Sequence, residues 1–227
     1  MAEKKVVAVI VEGQSDENAL GEILKDYFSS EEVQFVVTHG DITSDINTTP
    51  ANVLKKINEL VDRIRETYGY EWKDFLRIIH ISDTDGAYVK DCIETGDNET
   101  IQYYENKIVC SDIKKVVDRN TRKSSVMDKL AFGVSAIHNK MIPYKLFYNS
   151  CNLEHVLYNQ LKDFSDDEKE VLSDEFAEKY EGKLEDFIEF ISDGSVGVEG
   201  SYEDTWKFIS KDKHSLERHS NMHLIFE

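Results

Sequence analysis

Five acidic residues have the types and the spacing to hold a divalent cation. Glu12 and Asp16 are four residues apart, Asp83 and Asp85 flank a single threonine, and Glu154 lies further along the chain. Gathered carboxylates repel one another unless a cation neutralises them. Hard oxygen ligands of this kind suit Mg²⁺ or Mn²⁺ rather than Zn²⁺. We therefore expect a metal site suited to phosphoryl transfer, in which the metal neutralises charge on the scissile phosphate.

Three apolar segments must position these acids. Residues 6–11, 75–82 and 144–149 each lead into one of the acidic stretches. Short β-branched runs bounded by turn residues are typical of buried parallel strands. The carboxyl ends of parallel strands lie at one edge of a sheet, and α/β proteins bind ligands there. The sequence thus predicts that the acids meet at a single edge.

Helical periodicity and cap residues predict the intervening elements. The order strand, helix, strand, helix, strand implies right-handed crossovers and a parallel sheet. We predict strands at 6–11, 32–38, 75–82 and 144–149, and helices at 16–28, 50–68, 126–141, 153–161, 166–180, 183–191 and 202–211. A polar helix or turn is predicted at 213–224. The fold class is therefore α/β, with a parallel sheet of about four strands flanked by helices.

The composition indicates a globular chain, since 40% of the residues are hydrophobic and 11% are aromatic. We predict a catalytic domain over 1–161 with an inserted segment at about 87–143, and an acidic helical region over 162–227 packed on it. No apolar stretch approaches the length of a membrane span, and the first residues lack a signal-peptide layout. Three unclustered cysteines indicate reduced thiols. These features predict a cytoplasmic protein without a membrane partner.

The net charge of -18 argues against a general nucleic-acid binder, because phosphate contacts need Lys and Arg. The charge is unevenly placed, however. Residues 107–145 hold nine Lys or Arg and three Asp, whereas residues 163–204 hold 16 acids and three lysines. Five basic residues are candidates for phosphate contacts: Lys114, Lys115, Arg119, Arg122 and Lys123. A solvated helix face explains the same residues equally well. We expect low affinity for nucleic acid by the chain alone.

The two acidic motifs resemble those of the Toprim domain of topoisomerases, primases and the OLD-type and RloB-like nucleases. In that family an apolar strand ends in Glu-Gly-x-x-Asp, as at 9–16, and a later strand ends in Asp-x-Asp, as at 79–86. The resemblance covers roughly residues 5–160 and implies a Toprim-like (Rossmann-like) sheet. It implies that Glu12 acts as acid/base or metal ligand. It also implies one or two metal ions bound by Asp16, Asp83, Asp85 and Glu154.

The nuclease branch of that family fits best, because no topoisomerase tyrosine domain and no primase zinc motif is evident in the sequence. Such nucleases often work beside an ABC-type ATPase in defence against phage. The chain has no Gly-x-x-x-x-Gly-Lys-Ser/Thr motif, so that ATPase would be a separate protein. Asn221 resembles the Asn-containing ending of RloB-like proteins, and Gly13 opens the backbone for a phosphate. We predict that both residues line the site.

Three of the five acids also have a plain structural explanation. Glu12 could simply form the turn after a strand, Asp16 could be an N-cap, and Glu154 could be an acid in a helix first turn. Residues 78–86 also match the Asp-x-Asp-Gly motif of haloacid-dehalogenase-like phosphatases, with Asp83 as nucleophile, although that family has this strand first. A third interpretation is a catalytically inactive interaction module, whose acidic region at 163–204 binds a basic partner.

The C-terminal histidines could fold back over the metal edge. His214, His219 and His223 are grouped there with Arg218 and Asn221. His219 and His223 are four residues apart, but neither has the flanking Glu of a zinc-protease helix, which argues against their being ligands. The sequence leaves open the choice between DNA and RNA. It also leaves open whether the chain forms a homo-oligomer.

Overall fold

The computed structural model describes residues 5–38, 41–97, 100–162 and 164–227. Residues 39–40, between the predicted strand at 32–38 and the predicted helix at 50–68, lie outside that description, as do residues 98–99 of the predicted insertion and residue 163 of the acidic region. The strands are β1 (Val6–Val11), β2 (Glu32–Val37), β3 (Phe75–Asp83), β4 (Ile93–Thr95), β5 (Gln102–Tyr104), β6 (Lys107–Cys110), β7 (Ala136–Ile137) and β8 (Ile142–Asn149). The helices are α1 (Gln14–Tyr27), α2 (Val53–Tyr68), α3 (Ile113–Gly133), α4 (Leu153–Tyr158), α5 (Asp166–Tyr180), α6 (Leu184–Ser192) and α7 (Tyr202–Ile209). Short 3₁₀ helices cover Trp72–Asp74 and Met222–Ile225.

The main sheet has five strands in the order β2-β1-β3-β8-β7. The first four are parallel, and β7 pairs with β8 in the antiparallel direction. The sheet is therefore mixed, whereas the sequence predicted about four parallel strands. The register pairs Ile10 with His80 and Asp83 with Asn149. This register brings the carboxyl ends of β1, β3 and β8 to one edge.

Both faces of the main sheet are covered by helices. Val6, Ala8 and Ile10 of β1 pack into one hydrophobic cluster with residues of α2, α3 and α7. The alternate residues Val7 and Val9 pack into a second cluster with residues of α1, α5 and α6. Every residue of β1 is buried, as expected for a central parallel strand with two covered faces. The acids at its end are thus held on a rigid layered frame.

The helix predicted at 126–141 is wrong in its bounds. Helix α3 begins at Ile113, where Asp112 caps its N-terminus by accepting a hydrogen bond from Lys115 N at 3.0 Å. It ends at Gly133, and the following chain forms β7 and a tight turn. Three consecutive residues of that turn have positive φ, which a right-handed helix excludes: His138, Asn139 and Lys140. The inserted segment also carries a small sheet in the order β4-β6-β5.

The C-terminal region contributes to both faces of the sheet. Phe176, Phe187 and Ile191 of α5 and α6 pack against α1 and the strands. Trp206 of α7 packs on the opposite face, where its ring lies 4.9 Å from that of Tyr148. The region predicted as a helical module at 162–227 therefore packs on the sheet from both sides. Within the described ranges, no helix is both long and apolar enough to cross a membrane.

Candidate metal centre

Glu12 follows β1 and reaches across to the end of β3. Its Oε1 atom accepts hydrogen bonds from Ser82 Oγ at 2.8 Å and from the backbone N of Asp83 at 3.0 Å. Because the two strands are adjacent and parallel, their ends lie side by side. The two bonds fix the carboxylate of Glu12 beside Asp83. The first and second acidic motifs, about 70 residues apart in sequence, therefore meet in the fold.

Asp16 lies in the first turn of α1 and folds back toward Glu12. Its Oδ2 atom accepts hydrogen bonds from the backbone N of Glu12 at 3.1 Å and of Gly13 at 3.0 Å. Helix α1 begins at Gln14, so Asp16 is inside the helix and is not its N-cap residue. One carboxylate oxygen stabilises the turn, which leaves the other available to a ligand. The prediction of Asp16 as an N-cap is therefore wrong, and its actual role in closing the first turn is compatible with binding a ligand.

Asp83 is the last residue of β3, and Glu154 lies in α4, the helix that follows the neighbouring strand β8. Asn149, the last residue of β8, donates from Nδ2 to Asp83 Oδ1 at 3.2 Å. Glu154 lies in the first turn of α4 and is only 6% exposed. Its Oε1 atom lies 3.1 Å from Lys169 Nζ of α5. Lys169 was not foreseen from the sequence, because α5 reaches the edge only through tertiary packing.

Asp85 is held in the left-handed backbone region, with φ of 47°. Its backbone N donates to Cys151 O at 2.8 Å, and its backbone O accepts from Arg119 Nη2 at 2.9 Å. Gly86 follows with φ of 64°, and a Cβ there would lie 2.6 Å from Leu216 Cδ2. A glycine is therefore required at this turn. The strained turn directs Asp85 away from the sheet toward α3.

Lys123 is the cation of this part of the site. Its side chain is fully buried, and its Nζ donates to Asp41 and, at 2.5 Å, to Asp85 Oδ2. The sequence predicted Lys123 as a phosphate contact, and the structure corrects this: a fully buried, ion-paired amine presents no surface to nucleic acid. Asp41 was missed. It follows β2 at the same edge of the sheet, so the strand-end rule could have found it.

The clustering of these acids perturbs their protonation. The pKa of Asp83 is raised well above its usual value. The largest cause is burial, followed by the charges of Glu12, Asp16, Glu154 and Asp85. The pKa of Glu12 is also raised well above its usual value, by burial first and then by neighbouring carboxylates. The positive charge of Lys123 opposes this rise. Burial raises the pKa of Asp16 to about 6, against the opposing bonds from the backbone. These shifts indicate negative charge that the protein itself leaves unbalanced.

Four of the five predicted basic residues line one groove beside the acids. The groove has a volume of about 650 Å³, and Lys114, Lys115, Arg119 and Arg122 are among its lining residues. Lys114 and Lys115 are exposed, whereas Arg119 and Arg122 are partly buried. The bond of Arg119 to the backbone of Asp85 joins the groove to the acidic edge.

Asn221 and Gly13 were predicted to line the site. Asn221 is buried, accepts from Tyr148 N at 2.8 Å and donates to Thr205 Oγ1 at 3.1 Å. Its amide is therefore engaged in joining the C-terminal segment to β8 and α7. Gly13 lies beside Glu12, but a Cβ there would meet only Ser15 Oγ at an ordinary 3.6 Å. Its role toward a phosphate stays a prediction.

The fold and the site together define an α/β protein with a cluster of carboxylates at the carboxyl edge of its parallel strands. Comparison with protein-family models, with curated proteins and with solved structures finds no match. The resemblance to Toprim domains thus depends on the two motifs of the sequence.

Proposed function

We propose that the chain hydrolyses phosphodiester bonds of nucleic acid with the help of Mg²⁺ or Mn²⁺. The observation that carries the proposal is that Glu12, Asp16 and Asp83 meet at one edge. The charge of Glu154 raises the pKa values of Asp16 and Asp83, and the charge of Asp85 raises the pKa of Asp83. Buried carboxylates that lack a compensating cation are costly. Such an arrangement is stable at neutral pH only if charge is supplied from outside or the groups take up protons.

The donor set fits a hard divalent cation. The side chains that converge at the edge are carboxylates, and carboxylate oxygens are the hard ligands that Mg²⁺ and Mn²⁺ prefer. Asp16, Asp83 and Glu154 would hold the ion, and Asp85, whose Oδ2 atom pairs with Lys123, would bind it through its other oxygen. Glu12, fixed by two hydrogen bonds through one oxygen, keeps the other for a proton of the attacking water or the leaving group. The ion, when bound, neutralises charge on the phosphate and activates water.

The basic groove provides a path for the sugar-phosphate backbone. Phosphates beside Lys114 and Lys115 would lie next to Arg119, whose guanidinium contacts the backbone of Asp85. Few cations line the groove and the chain carries a net charge of -18, so binding by the chain alone is weak and salt-sensitive. A separate ATPase that adds affinity or releases activity is the partner that the Toprim resemblance suggests, in the cytoplasm.

The test is a cleavage assay with single- and double-stranded DNA and RNA, with and without Mg²⁺ or Mn²⁺. We expect cleavage only with metal. Glu12→Gln should lower the rate by about 10²- to 10⁴-fold, the usual contribution of a general acid or base. Asp83→Asn should remove detectable cleavage, because the ion loses a ligand. Circular dichroism on each variant establishes that the fold is intact.

The matched control is Asp174→Asn, which neutralises an exposed carboxylate of α5 outside the edge. It should leave cleavage unchanged. Cleavage retained by both Glu12→Gln and Asp83→Asn would rule out the proposal. Hydrolysis of small phosphate esters with a phosphorylated Asp83 would point instead to a phosphatase of the haloacid-dehalogenase type.

A further inference from the structure

A second cluster of metal-ligating side chains lies in the C-terminal segment. The ligand atoms of His214, Glu217 and His219 all lie within 4.8 Å of one another. Nδ1 of His214 lies 2.6 Å from Glu217 Oε2, and Nε2 of His219 lies 3.4 Å from the same oxygen. Two imidazole nitrogens therefore converge on one carboxylate oxygen.

A single residue next to the sheet contacts the backbone of all three ligand residues. Ser150, directly after β8, donates from its backbone N to His219 O at 2.7 Å. Its Oγ lies 2.9 Å from His214 O and also contacts Glu217 O. The segment that carries the three side chains is thus anchored to the end of a central strand. The spacing of the ligands is set by the sheet.

The two imidazole rings are also oriented by packing. Phe208 stacks on His214 with ring centroids 3.9 Å apart and meets His219 edge-on at 4.9 Å. The imidazole planes stand at 76° to one another. Nδ1 of His219 is buried and has no hydrogen-bond partner among the described residues. Nε2, which faces Glu217, is therefore the nitrogen of His219 that is open to a ligand.

We propose that His214, Glu217 and His219 bind a divalent transition metal, for which Zn²⁺ is the best fit. Imidazole and carboxylate suit Zn²⁺, and two His with one Glu leave a fourth position open. Ligands around tetrahedral zinc stand about 3.4 Å apart, given metal-ligand distances of about 2.0–2.2 Å. The His219 to Glu217 distance already matches, and the His214 to Glu217 distance opens by about 1 Å on binding.

The metal can reach this site from solvent. The side chains of His214, Glu217 and His219 are 24%, 40% and 20% exposed. Ser215 lies between the ligands in sequence. Its backbone O accepts hydrogen bonds from Thr84 Oγ1 at 3.0 Å and from Cys151 N at 3.1 Å. Because Thr84 separates Asp83 from Asp85, a bound ion would stiffen the segment that supports the acidic edge. Metal binding by His214, Glu217 and His219 does not itself depend on catalytic activity at that edge.

Calorimetric titration of the metal-free full chain with Zn²⁺ near neutral pH tests the proposal. We carry it out in the Asp83→Asn background, so that Zn²⁺ captured by the acidic edge is excluded. One equivalent should bind. His214→Ala, His219→Ala and Glu217→Gln should each weaken binding by about tenfold or more, and Mg²⁺ should not compete. Loss of nuclease activity in the background would leave this result unaffected.

His223→Ala is the matched control, since His223 is a C-terminal histidine outside the cluster. It should bind Zn²⁺ as the parent does. In the otherwise native chain, Zn²⁺ should shift the NMR signals of two imidazole rings, which requires no variant to fold. Absence of Zn²⁺ binding, or binding that is unchanged in both His214→Ala and His219→Ala, overturns the proposal. The cluster would then be an ordinary set of His–Glu hydrogen bonds.

Discussion

The acidic edge, where the carboxylates that follow the strands meet, divides into two halves. The two halves balance their negative charge differently. In the compensated half, a fully buried Lys123 lies between Asp41 and Asp85, whose side chains are 11% and 27% exposed. In the uncompensated half, formed by Glu12, Asp16 and Asp83, hydrogen bonds come from neutral groups. Within the described chain, neither a lysine nor an arginine forms an ion pair with these three acids.

The pKa values of the two halves separate accordingly. Burial alone would raise the pKa of Asp41, but the charge and hydrogen bond of Lys123 hold that pKa at about 2. In the other half, burial raises the pKa of Asp16 to about 6 and raises the pKa of Asp83 well above its usual value. The compensated half is therefore a structural element of the fold. The uncompensated half is the part of the edge that the proposed cation would neutralise.

Removal of the buried amine should have the largest effect. Lys123→Met keeps an unbranched side chain, shorter by one atom, but leaves Asp41 and Asp85 without a cation. Breaking a buried ion pair by removing one partner costs about 3–5 kcal/mol. We expect the free energy of unfolding at neutral pH to fall by about that amount, measured by urea denaturation followed with circular dichroism.

The control for this change is Lys129→Met, on the exposed side of the same helix. It should change the free energy of unfolding by less than about 0.5 kcal/mol. If Lys123→Met cost no more than this control, the carboxylates of Asp41 and Asp85 would be neutral or hydrated in the native protein. The contrast between the two halves would then disappear.

Addition of Mg²⁺ should have the next largest effect, and it should act on the other half. A cation that binds only the folded chain adds about 2.7 kcal/mol to its stability at a concentration of 100 times Kd. Asp83→Asn should lose most of this gain, yet should be more stable than the native chain when metal is absent, because a buried carboxylate has been neutralised. Thermal unfolding with and without Mg²⁺ measures both effects.

Asp174→Asn serves here too, because it removes one carboxylate from the exposed side of α5. It should respond to Mg²⁺ as the native chain does. An Asp83→Asn variant that is less stable than the native chain without metal would show that Asp83 is already balanced by the protein. The edge would then have no need of a cation.

The positions of the acids could be predicted from the sequence because strand ends are local features. Glu12 and Asp83 each follow an apolar run, and parallel pairing brings such ends together whatever the details of packing. The cation of the compensated half could not be predicted in the same way. Lys123 and Asp41 are 82 residues apart, and their contact depends on how α3 lies across the sheet.

The extent of α3 was missed for a related reason. Its buried face carries polar residues, Asn120 and Lys123, where hydrophobic periodicity looks for apolar ones. Asn120 donates to Gly86 O at 3.0 Å and to Val89 O at 2.8 Å, so it holds the turn that follows Asp85. From periodicity alone, polar residues on this buried face predict a solvated or nucleic-acid-binding segment. Their true partners are the backbone and the acids of the edge.

Asp16→Asn should show a smaller effect that depends on pH. The folded chain raises the pKa of Asp16 from 3.8 to about 6, so its carboxylate costs stability above about pH 6, and the cost vanishes as pH falls toward 4. Asparagine keeps an acceptor for the backbone of Glu12 and Gly13 without the charge. At about pH 8 the variant should be more stable by about 1 kcal/mol, after allowance for solvent screening.

Urea denaturation of both proteins between about pH 8 and pH 5 measures this difference. Burial lowers the pKa of His80 to about 4, which destabilises the folded chain on acidification, but the native chain and the variant share this effect and it cancels. The advantage of the variant should shrink steadily as pH falls. A variant that is less stable by a constant amount at every pH would mean that Asp16 only caps α1.

Removal of the Lys169 amine should have the smallest effect on stability, because Lys169 forms an ion pair, as Lys123 does, but is not fully buried. Its amine pairs with Glu154 at 3.1 Å, but 37% of its side chain is exposed. Lys169→Gln should therefore cost less than about 1 kcal/mol. The same change removes a positive charge that opposes Mg²⁺, so Mg²⁺ should bind about threefold more tightly at low salt, measured by calorimetry.

Lys55→Gln is the comparison, since it removes an exposed lysine of α2 that lies 3.7 Å from Glu59. It should leave Mg²⁺ affinity unchanged. If Lys169→Gln instead weakened Mg²⁺ binding, the pairing of Lys169 would be needed to hold Glu154 in place, as Lys123 holds Asp85. Tighter binding would mean that the lysine only occupies space that the cation takes over. The sign of this one change therefore decides whether Glu154 belongs to the compensated or to the uncompensated half.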